Sequence, residues 1–441
     1  MTYPASSDRR NATTPAISAG VPALRSGVVD ARCSMSFFPP VVVAASANRF
    51  VGTIPGATAF TRMPSGAPYA AAPRTSPCTA CFEVWYGSDY GVRPQKSAWG
   101  VREFAWDVDL TSGYPHRFLP NLSPRKAPDT YAGKLYPGLP FELALRRPRA
   151  VLVQGYRNLH EQSAILGAKL AGSRLVFRAD TNARTSRGSW RKLVRKAYLS
   201  VLYPNLDAIL AIGPDNRRHY EEHGVPHHKL IDAPYSIDQA FFRRLADEAR
   251  PHRAELREKL GLPRDRHVVL FGGVLRDIKG VDVLLRSLAH LPDVHVALAG
   301  SGPEEPSLRK LAATVAEDRV HFLGFLNQRE LAAAYAIADL FCLPSRQEAW
   351  GLVVNEAIAA GTPVVVSEAC GVAAQVEATG AGLTVPPDSP ELLASTLRRA
   401  LEEACAGRFA AGMKAFDERH HPRKTAEAIV AAVRGTSPLV D

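Results

Sequence analysis

The sequence of 441 residues has few cysteines and no long apolar run, and these absences exclude several classes of protein. No stretch approaches the roughly 18–20 apolar residues that a membrane-spanning helix needs. The first residues, MTYPASSDRR, lack the basic start and apolar centre of a secretory signal peptide. Six cysteines in this length do not suggest a disulfide framework, which predicts a reducing cytoplasm. Because Cys78 and Cys81 form one CxxC pair without a second pair at metal-site spacing, zinc and redox chemistry are not expected.

Composition and charge are those of a globular protein that meets anionic partners. Hydrophobic residues make up 46% of the chain and charged residues 22%, as in ordinary folded domains. The formal net charge of +11 favours nucleotides, phosphates, acidic lipid surfaces or nucleic acid as partners. No recognised nucleic-acid-binding module accompanies the charge, so nucleic acid is not expected.

Residues 1–81 differ from the rest of the chain. They are rich in Ala, Pro, Ser and Thr and show no sustained period of 2 or 3.6 residues. Such a composition buries little surface. We therefore expect a disordered or atypical segment that contributes no strand, and whose removal leaves the C-terminal part of the chain folded.

From Phe82 onward, strand-like and helix-like segments alternate, which predicts parallel βα units. REFAWDVDL, residues 102–110, alternates as a strand does. A stretch near residues 234–265 interrupts the pattern before a second βα series begins. The sequence therefore predicts an α/β protein with two Rossmann-like doubly wound domains facing a cleft. Their predicted ranges are 82–240 and 241–420, and a C-terminal helix within 421–441 packs back on the first domain.

Two glycine-containing loops follow predicted strands of the second domain. GGVLRDIKG, residues 272–280, combines a glycine pair with Arg276 and Lys279, which suits close approach to a phosphate and its neutralisation. The third glycine of the dinucleotide-binding motif is missing. A solvated basic loop is the alternative. The second loop, Gly300–Pro303, is another close-approach turn at a strand end.

The strongest motif is EAWGLVVNEAIAAGTPVVV, residues 348–366. It predicts a loop, a short helix and a turn at Gly361. Glu348 precedes the helix at its positive end, whereas Glu356 lies inside it among apolar residues. A buried carboxylate needs hydrogen-bond donors, and the vicinal hydroxyls of a sugar supply two. The alternatives are an acid at a polar gap of an amphipathic helix or one paired with a buried arginine.

This E-x7-E pattern, followed by A-x-A-x-G-x-P-V-V, resembles the retaining glycosyltransferases of family 4, or glycosyl transferases group 1, which have the GT-B fold. GGVLRDIKG, AGSGPE and VHFLGFLNQREL are similar to that family in order and register. The resemblance is close over residues 266–406 and loose over 82–240. It is specific to the family and not to one substrate.

The resemblance implies a nucleotide-sugar donor held by the second domain. Glu356 would bind the ribose, Glu348 would lie near the donor sugar, and Lys279 would bind the diphosphate. This chain has Val274 where the family usually has an arginine, and Arg276 would take that role from two positions later. The implied catalytic residues are Glu348, Arg276 and Lys279, and the implied donor-binding residues are Gly273, Gly302, Phe325, Gly351, Leu352, Val353 and Glu356.

No metal cofactor is expected, because fixed cations and a helix N-terminus can stabilise the charge that develops on a departing nucleoside diphosphate. Asp107 and Asp109 have Asp-x-Asp spacing, but they fall within the predicted strand and not at its end.

The first domain is expected to bind the acceptor, a glycan or lipid-linked molecule of cell-envelope or exopolysaccharide synthesis. Asp180 and Asn182 follow a predicted strand at the cleft, and His160 is a further candidate. A lone histidine is more often a structural residue.

Eight basic residues and one acid, Asp180, lie between Arg174 and Lys196. This pattern suits peripheral docking on the inner face of an anionic membrane, with a solvated face as the alternative. Other functions stay open on the same scaffold. They are a nucleotide-sugar epimerase, a sugar phosphorylase and a non-catalytic nucleotide-sugar binding protein.

Overall fold

The structure is a computed structural model that describes residues 41–43, 82–88, 92, 95–96, 103–104, 107, 109, 111–112, 114–124, 130–181 and 189–436. The CxxC pair and Asn182 lie outside these residues. None of the helices formed by the described residues is long and apolar enough to cross a membrane. Cys342 and Cys370 are buried in the core.

Seven strands form the first sheet: β1 Val41–Val43, β2 Glu83–Tyr86, β5 His116–Phe118, β6 Ala150–Gln154, β7 Arg174–Arg178, β8 Ala208–Ala211 and β9 Leu230–Asp232. Between β2 and β5 the chain forms a separate pair, β3 Gln95–Lys96 and β4 Glu103–Phe104. The order in the first sheet is β5-β2-β1-β6-β7-β8-β9. Its pairs are parallel except that β1 is antiparallel to both of its neighbours.

The expectation that residues 1–81 contribute no strand is wrong at β1. Val42 lies opposite Val84 on one side and Leu152 on the other, so β1 sits inside the sheet. Three consecutive valines are too few to show a period, and their strand is defined by partners far along the chain.

The predicted strand over residues 102–110 is also wrong at Asp107 and Asp109, the two described residues beyond β4. Asp107 instead accepts hydrogen bonds from the backbone N–H groups of Gln328 and Arg329, both at 3.2 Å. Asp109 accepts from the N–H of Thr111 at 2.9 Å in a local turn. Asp107 is thus used by distant backbone donors that the local sequence does not reveal, and Asp109 by a local turn.

Four helices accompany the first sheet: α1 Leu139–Arg146, α2 Leu159–Leu170, α3 Ser189–Leu202 and α4 Pro214–Glu222. They alternate with β6–β9 as the sequence predicts. Because β6, β7, β8 and β9 are neighbours in chain order, right-handed crossovers place α2, α3 and α4 on one face of the sheet.

The second sheet has six parallel strands: β10 His267–Gly272, β11 Val294–Ala299, β12 Val320–Gly324, β13 Leu340–Leu343, β14 Val364–Ser367 and β15 Gly382–Val385. Their order, β12-β11-β10-β13-β14-β15, is that of a doubly wound Rossmann-like sheet. The second βα series that the sequence predicts is thus confirmed. The helices of this domain are α5 Gln239–Ala249, α6 Arg253–Lys259, α7 Val281–Ser287, α8 Glu305–Val315, α9 Gln328–Ile337, α10 Leu352–Ala359, α11 Ala373–Thr379, α12 Pro390–Cys405 and α13 Ala410–Arg419.

The last helix, α14 Pro422–Arg434, returns to the first domain. Its Ala426 and Ile429 belong to the same buried cluster as β6–β9. The Arg174 guanidinium Nε donates to the Ala432 carbonyl at 2.6 Å, and the Thr425 hydroxyl donates to the Pro234 carbonyl at 2.6 Å. The chain therefore crosses between the domains twice, once before α5 and once before α14.

Candidate functional site

The N-terminus of α10 opens at the carboxyl edge of the second sheet. Gly351 precedes the helix with φ +103°, and a Cβ there would lie 2.8 Å from the Leu343 side chain. Only glycine fits both constraints. The N–H groups of Leu352 and Val353 are the first of the helix, where intrahelical acceptors are missing and the dipole is positive. This end of α10 can therefore receive an anionic group.

Glu356 lies one turn inside α10, and its side chain is buried with 5% of its surface exposed. The Tyr335 hydroxyl donates to its Oε2 at 3.0 Å. Burial raises the pKa of Glu356 to about 7, against the opposing effect of that hydrogen bond. The partner is a tyrosine of α9, which the sequence analysis did not identify. Its signal is that Tyr335 is the only hydrogen-bonding side chain in the apolar run LAAAYAIA.

Glu348 and Lys279 form an ion pair across two neighbouring loops, with both side chains largely buried. Arg346 holds these loops together. Its guanidinium donates twice to Asp282, at 2.8 Å each, and its backbone N–H donates to the Ile278 carbonyl at 2.9 Å. Arg346 was missed because these two partners lie more than sixty residues away along the chain. The pair places one cation and one carboxylate beside the N-terminus of α10.

The two glycine loops interlock at the same edge of the sheet. The Gly273 N–H donates to the Ala299 carbonyl at 2.9 Å. A Cβ on Gly300 would lie 1.8 Å from the Gly273 carbonyl oxygen, and one on Gly302 would lie 2.3 Å from that of Leu275. Both loops therefore require small residues to approach each other. Arg276 is half-buried at the start of the 3₁₀ turn Asp277–Lys279, and Phe325 directly follows β12.

Asp180 reaches this group from the first domain. It follows β7, and the Tyr235 hydroxyl donates to its carboxylate. Arg178 is fully buried beside it, with its guanidinium 4.3 Å from the centre of the Tyr235 ring. The surrounding protein and the Glu348 charge raise the pKa of Asp180 to about 6, whereas the positive charge of Arg178 acts in the opposite direction. The candidate acceptor residue therefore lies close enough to Glu348 to be affected by its charge.

His160 does not join this group as an open ligand. It is buried at the start of α2, and a Cβ on Gly87 would lie 2.8 Å from its Nε2. Burial, assisted by Lys134, lowers the pKa of His160 to about 3, so the ring is neutral. The structure thus places His160 as a packed histidine behind the site.

Trp350 braces the loop that carries Glu348 against the first domain. Its indole N–H donates to Asn355 at 3.0 Å, and the Asn355 amide donates to the Tyr235 carbonyl at 3.3 Å. A Cβ on Gly213 of the first domain would lie 2.5 Å from the Trp350 ring. The geometry of the loop therefore depends on both domains.

These residues lie in a segment that comparison with known proteins identifies. The family described as "Glycosyl transferases group 1" matches residues 252–421, which include Lys279, Glu348 and Glu356. Residues 252–421 are a glycosyl transferases group 1 domain.

Curated relatives of this domain come from bacteria. A D-inositol 3-phosphate glycosyltransferase of Nocardioides sp. is 37% identical over 198 residues, which cover 39% of this chain and 43% of the relative. An alpha-D-kanosaminyltransferase of Streptomyces kanamyceticus is 35% identical over 167 residues, which cover 37% and 42%. The chain spans less than half the length of these curated relatives.

Solved structures extend the likeness beyond the glycosyl transferases group 1 domain. Anabaena Alr3699/HepE, in complex with UDP, has a TM-score of 0.59 at 19% identity, covering 73% of this chain and 86% of that one. A glycosyltransferase from Rickettsia africae has a TM-score of 0.58 at 15% identity, covering 73% and 85%. These likenesses show that the chain has the GT-B fold.

Proposed function

We propose that this protein transfers a sugar from a nucleotide-sugar donor to an acceptor hydroxyl. The observation that carries the proposal is the arrangement around α10. A buried carboxylate, an ion-paired lysine and the positive end of the helix lie at one sheet edge, opposite Asp180 of the other domain. This arrangement combines groups suited to a ribose, a diphosphate and a reacting sugar.

The donor we propose is a nucleoside diphosphate sugar. Glu356 accepts hydrogen bonds from the ribose hydroxyls, and Lys279 and Arg276 neutralise the diphosphate. The N–H groups of Leu352 and Val353 add donors at the α10 N-terminus. Structures of the Anabaena protein are complexes with UDP and with UDP-glucose, which supports this donor class.

In the proposed reaction, the bond between the sugar's anomeric carbon and the diphosphate oxygen breaks, a bond to the acceptor oxygen forms, and the proton of the acceptor hydroxyl passes to the released nucleoside diphosphate. Negative charge grows on the leaving diphosphate, where Lys279 and the end of α10 stabilise it without a metal ion. Glu348 holds Lys279 in place beside the donor sugar. Asp180 approaches the same centre from the acceptor side. Retention of anomeric configuration is part of the proposal and follows from the resemblance to family 4.

The acceptor we propose is a glycan or a lipid-linked molecule in cell-envelope or exopolysaccharide synthesis, met in the cytoplasm at the inner face of the membrane. The charge of the first domain supports this location. Residues 82–240 contain 23 lysines and arginines against 15 acidic residues, whereas residues 241–441 contain 24 against 26. Anionic lipid would therefore attract the first domain rather than the second.

Calorimetric titration with a panel of nucleotide sugars, followed by product analysis, tests the proposal. We expect tight binding of one donor, and a new glycosidic product whose anomeric proton coupling matches that of the donor. Activity should persist after chelation of divalent metals. Donor binding without a product for any acceptor would instead indicate a binding protein, and a product without an acceptor would indicate an epimerase.

A further inference from the structure

Large apolar side chains are exposed on three helices of the first domain. On α1, Phe141 is 69% exposed and Leu145 84% exposed, one turn apart. On α2, Leu166 and Leu170 repeat this spacing. On α3, the exposed residues Leu193, Val194, Tyr198 and Val201 form a stripe at helical spacing. We call these eight side chains the apolar face.

The topology of the first domain places the three helices side by side. Right-handed crossovers put α2 and α3 on the same face of the sheet. Helix α1 packs tightly on α2, because Gly167 admits it: a Cβ there would lie 2.8 Å from Leu143 and Pro140. The apolar face therefore lies on one side of the domain. The buried side chains of α3, such as Leu199 and Leu202, point away from it to the core.

The exposed charged side chains of these helices are basic. The sequences of α1, α2 and α3 include only two acids. Glu161 is buried, and Glu142 is half-buried in ion pairs with Arg117 and Arg146. Lys169 on α2 and Lys196 on α3 are exposed. An apolar surface interleaved with exposed lysines is typical of contact with anionic lipid.

The basic run of residues 174–196 is only partly available for such contact. The structure turns Arg174 inward to the Ala432 carbonyl and buries Arg178 completely. Among the described members of the run, Lys196 on α3 is exposed. The apolar residues of α1 and α2 extend this surface in a direction that the charge pattern did not indicate.

We propose that the apolar face docks on an anionic lipid bilayer, with α1, α2 and α3 lying against the headgroups. A second copy of the chain is a poorer occupant, because a symmetric contact would bring the exposed lysines of both copies together. This inference deepens the proposed membrane location of the acceptor. It also implies that the cleft works beside the bilayer, where a lipid-linked acceptor is concentrated.

Flotation of the full chain with phosphatidylcholine vesicles, with and without phosphatidylglycerol, tests the inference. We expect binding only when phosphatidylglycerol is present, weakening as ionic strength rises. The double variant Leu193→Gln/Val194→Gln should weaken binding about tenfold, and Phe141→Gln/Leu145→Gln similarly, because each removes apolar surface that enters the bilayer. Lys196→Glu should also weaken it.

Matched controls lie on the second domain. Leu392→Gln changes a leucine that is 51% exposed, and Lys310→Glu reverses an exposed lysine. Both should bind vesicles like the native chain. Equal binding by the α3 variant and the Leu392 variant would overturn the inference, as would absence of binding to phosphatidylglycerol vesicles. So would loss of self-association in the α3 variant with unchanged vesicle binding. UDP titration of the same proteins tests the proposed function separately.

Discussion

The two domains present different surfaces to their surroundings. Among the described side chains, eleven large hydrophobic residues are exposed in the first domain, whereas Leu392 alone is exposed in the second. The first domain carries an excess of basic residues and the second is nearly balanced. The second domain therefore exposes little apolar surface and is suited to a small ligand. The first domain exposes apolar surface that suits a larger partner.

The difference also concerns how each domain holds the site. The second contributes Lys279, Glu348 and Glu356 on loops and a helix tied to one another by Arg346 and by interlocking glycines. The first contributes Asp180, held by a tyrosine from the crossover segment. Donor binding is thus expected to depend chiefly on the second domain, with the first contributing only through the Gly213–Trp350 contact that braces the Glu348 loop. Substitutions in the donor site and in β1 test that division.

Lys279→Ala should have the largest effect. Loss of the cation on the diphosphate is expected to lower turnover by about 10²–10³, the scale for removing one group that stabilises developing charge. Affinity for UDP should fall while affinity for uridine stays unchanged, as calorimetry would show. Lys310→Ala, an exposed lysine of the same domain, is the control. Equal loss of uridine binding in the Lys279 variant would contradict a role at the diphosphate.

Glu356→Ala should come next. Losing hydrogen bonds to a charged group is expected to weaken nucleotide binding by about 2 kcal/mol, and Glu356→Gln should weaken it less because one acceptor oxygen remains. Tyr335→Phe removes the only hydrogen bond to the Glu356 carboxylate that the described residues show, and serves as a second probe. Unchanged nucleotide affinity in Glu356→Ala would rule out the ribose role.

The pH dependence of nucleotide affinity should be smaller. Burial raises the pKa of Glu356 to about 7, so the side chain is mostly protonated near pH 6 and mostly ionised near pH 8. Ribose hydroxyls donate to the ionised form, and affinity should therefore rise up to about tenfold over this range.

Since the folded-state pKa lies above the ordinary value, ionisation of Glu356 also lowers the free energy of unfolding as pH rises to about 7. In Glu356→Gln this contribution should vanish from both measurements.

Val42→Pro should leave donor binding almost unchanged. A proline inside β1 removes a backbone donor between β2 and β6, and should cost the first domain about 1–2 kcal/mol of stability. Limited proteolysis should then cut within residues 82–232 before it cuts the second domain. A fall in UDP affinity together with the fall in stability would show that donor binding depends on the first domain as well.

The sequence predicts the second domain better than the first for a physical reason. Strands β10–β15 are apolar runs closed by glycine or proline turns, and each donor motif sits on the loop that its own strand delivers. In the first domain, β1 is three valines whose partners begin forty residues away, and Asp107 caps α9 of the other domain. Arg346 was missed for the same reason, because a pairing over such a separation leaves no local pattern. Tyr335 stands out in its apolar run, but the run does not show that its partner is Glu356.

The return of α14 to the first domain has a consequence for the order in which the protein folds during synthesis. All strands of the second sheet lie between His267 and Val385, so that sheet can close while the chain is still emerging from the ribosome. The first sheet, although made earlier, must wait for α14 to cover β7, β8 and β9. We expect a nascent chain arrested before Pro422 to hold a protease-resistant second domain and a chaperone-accessible first one. The domain that is translated first is thus the domain that completes its folding last.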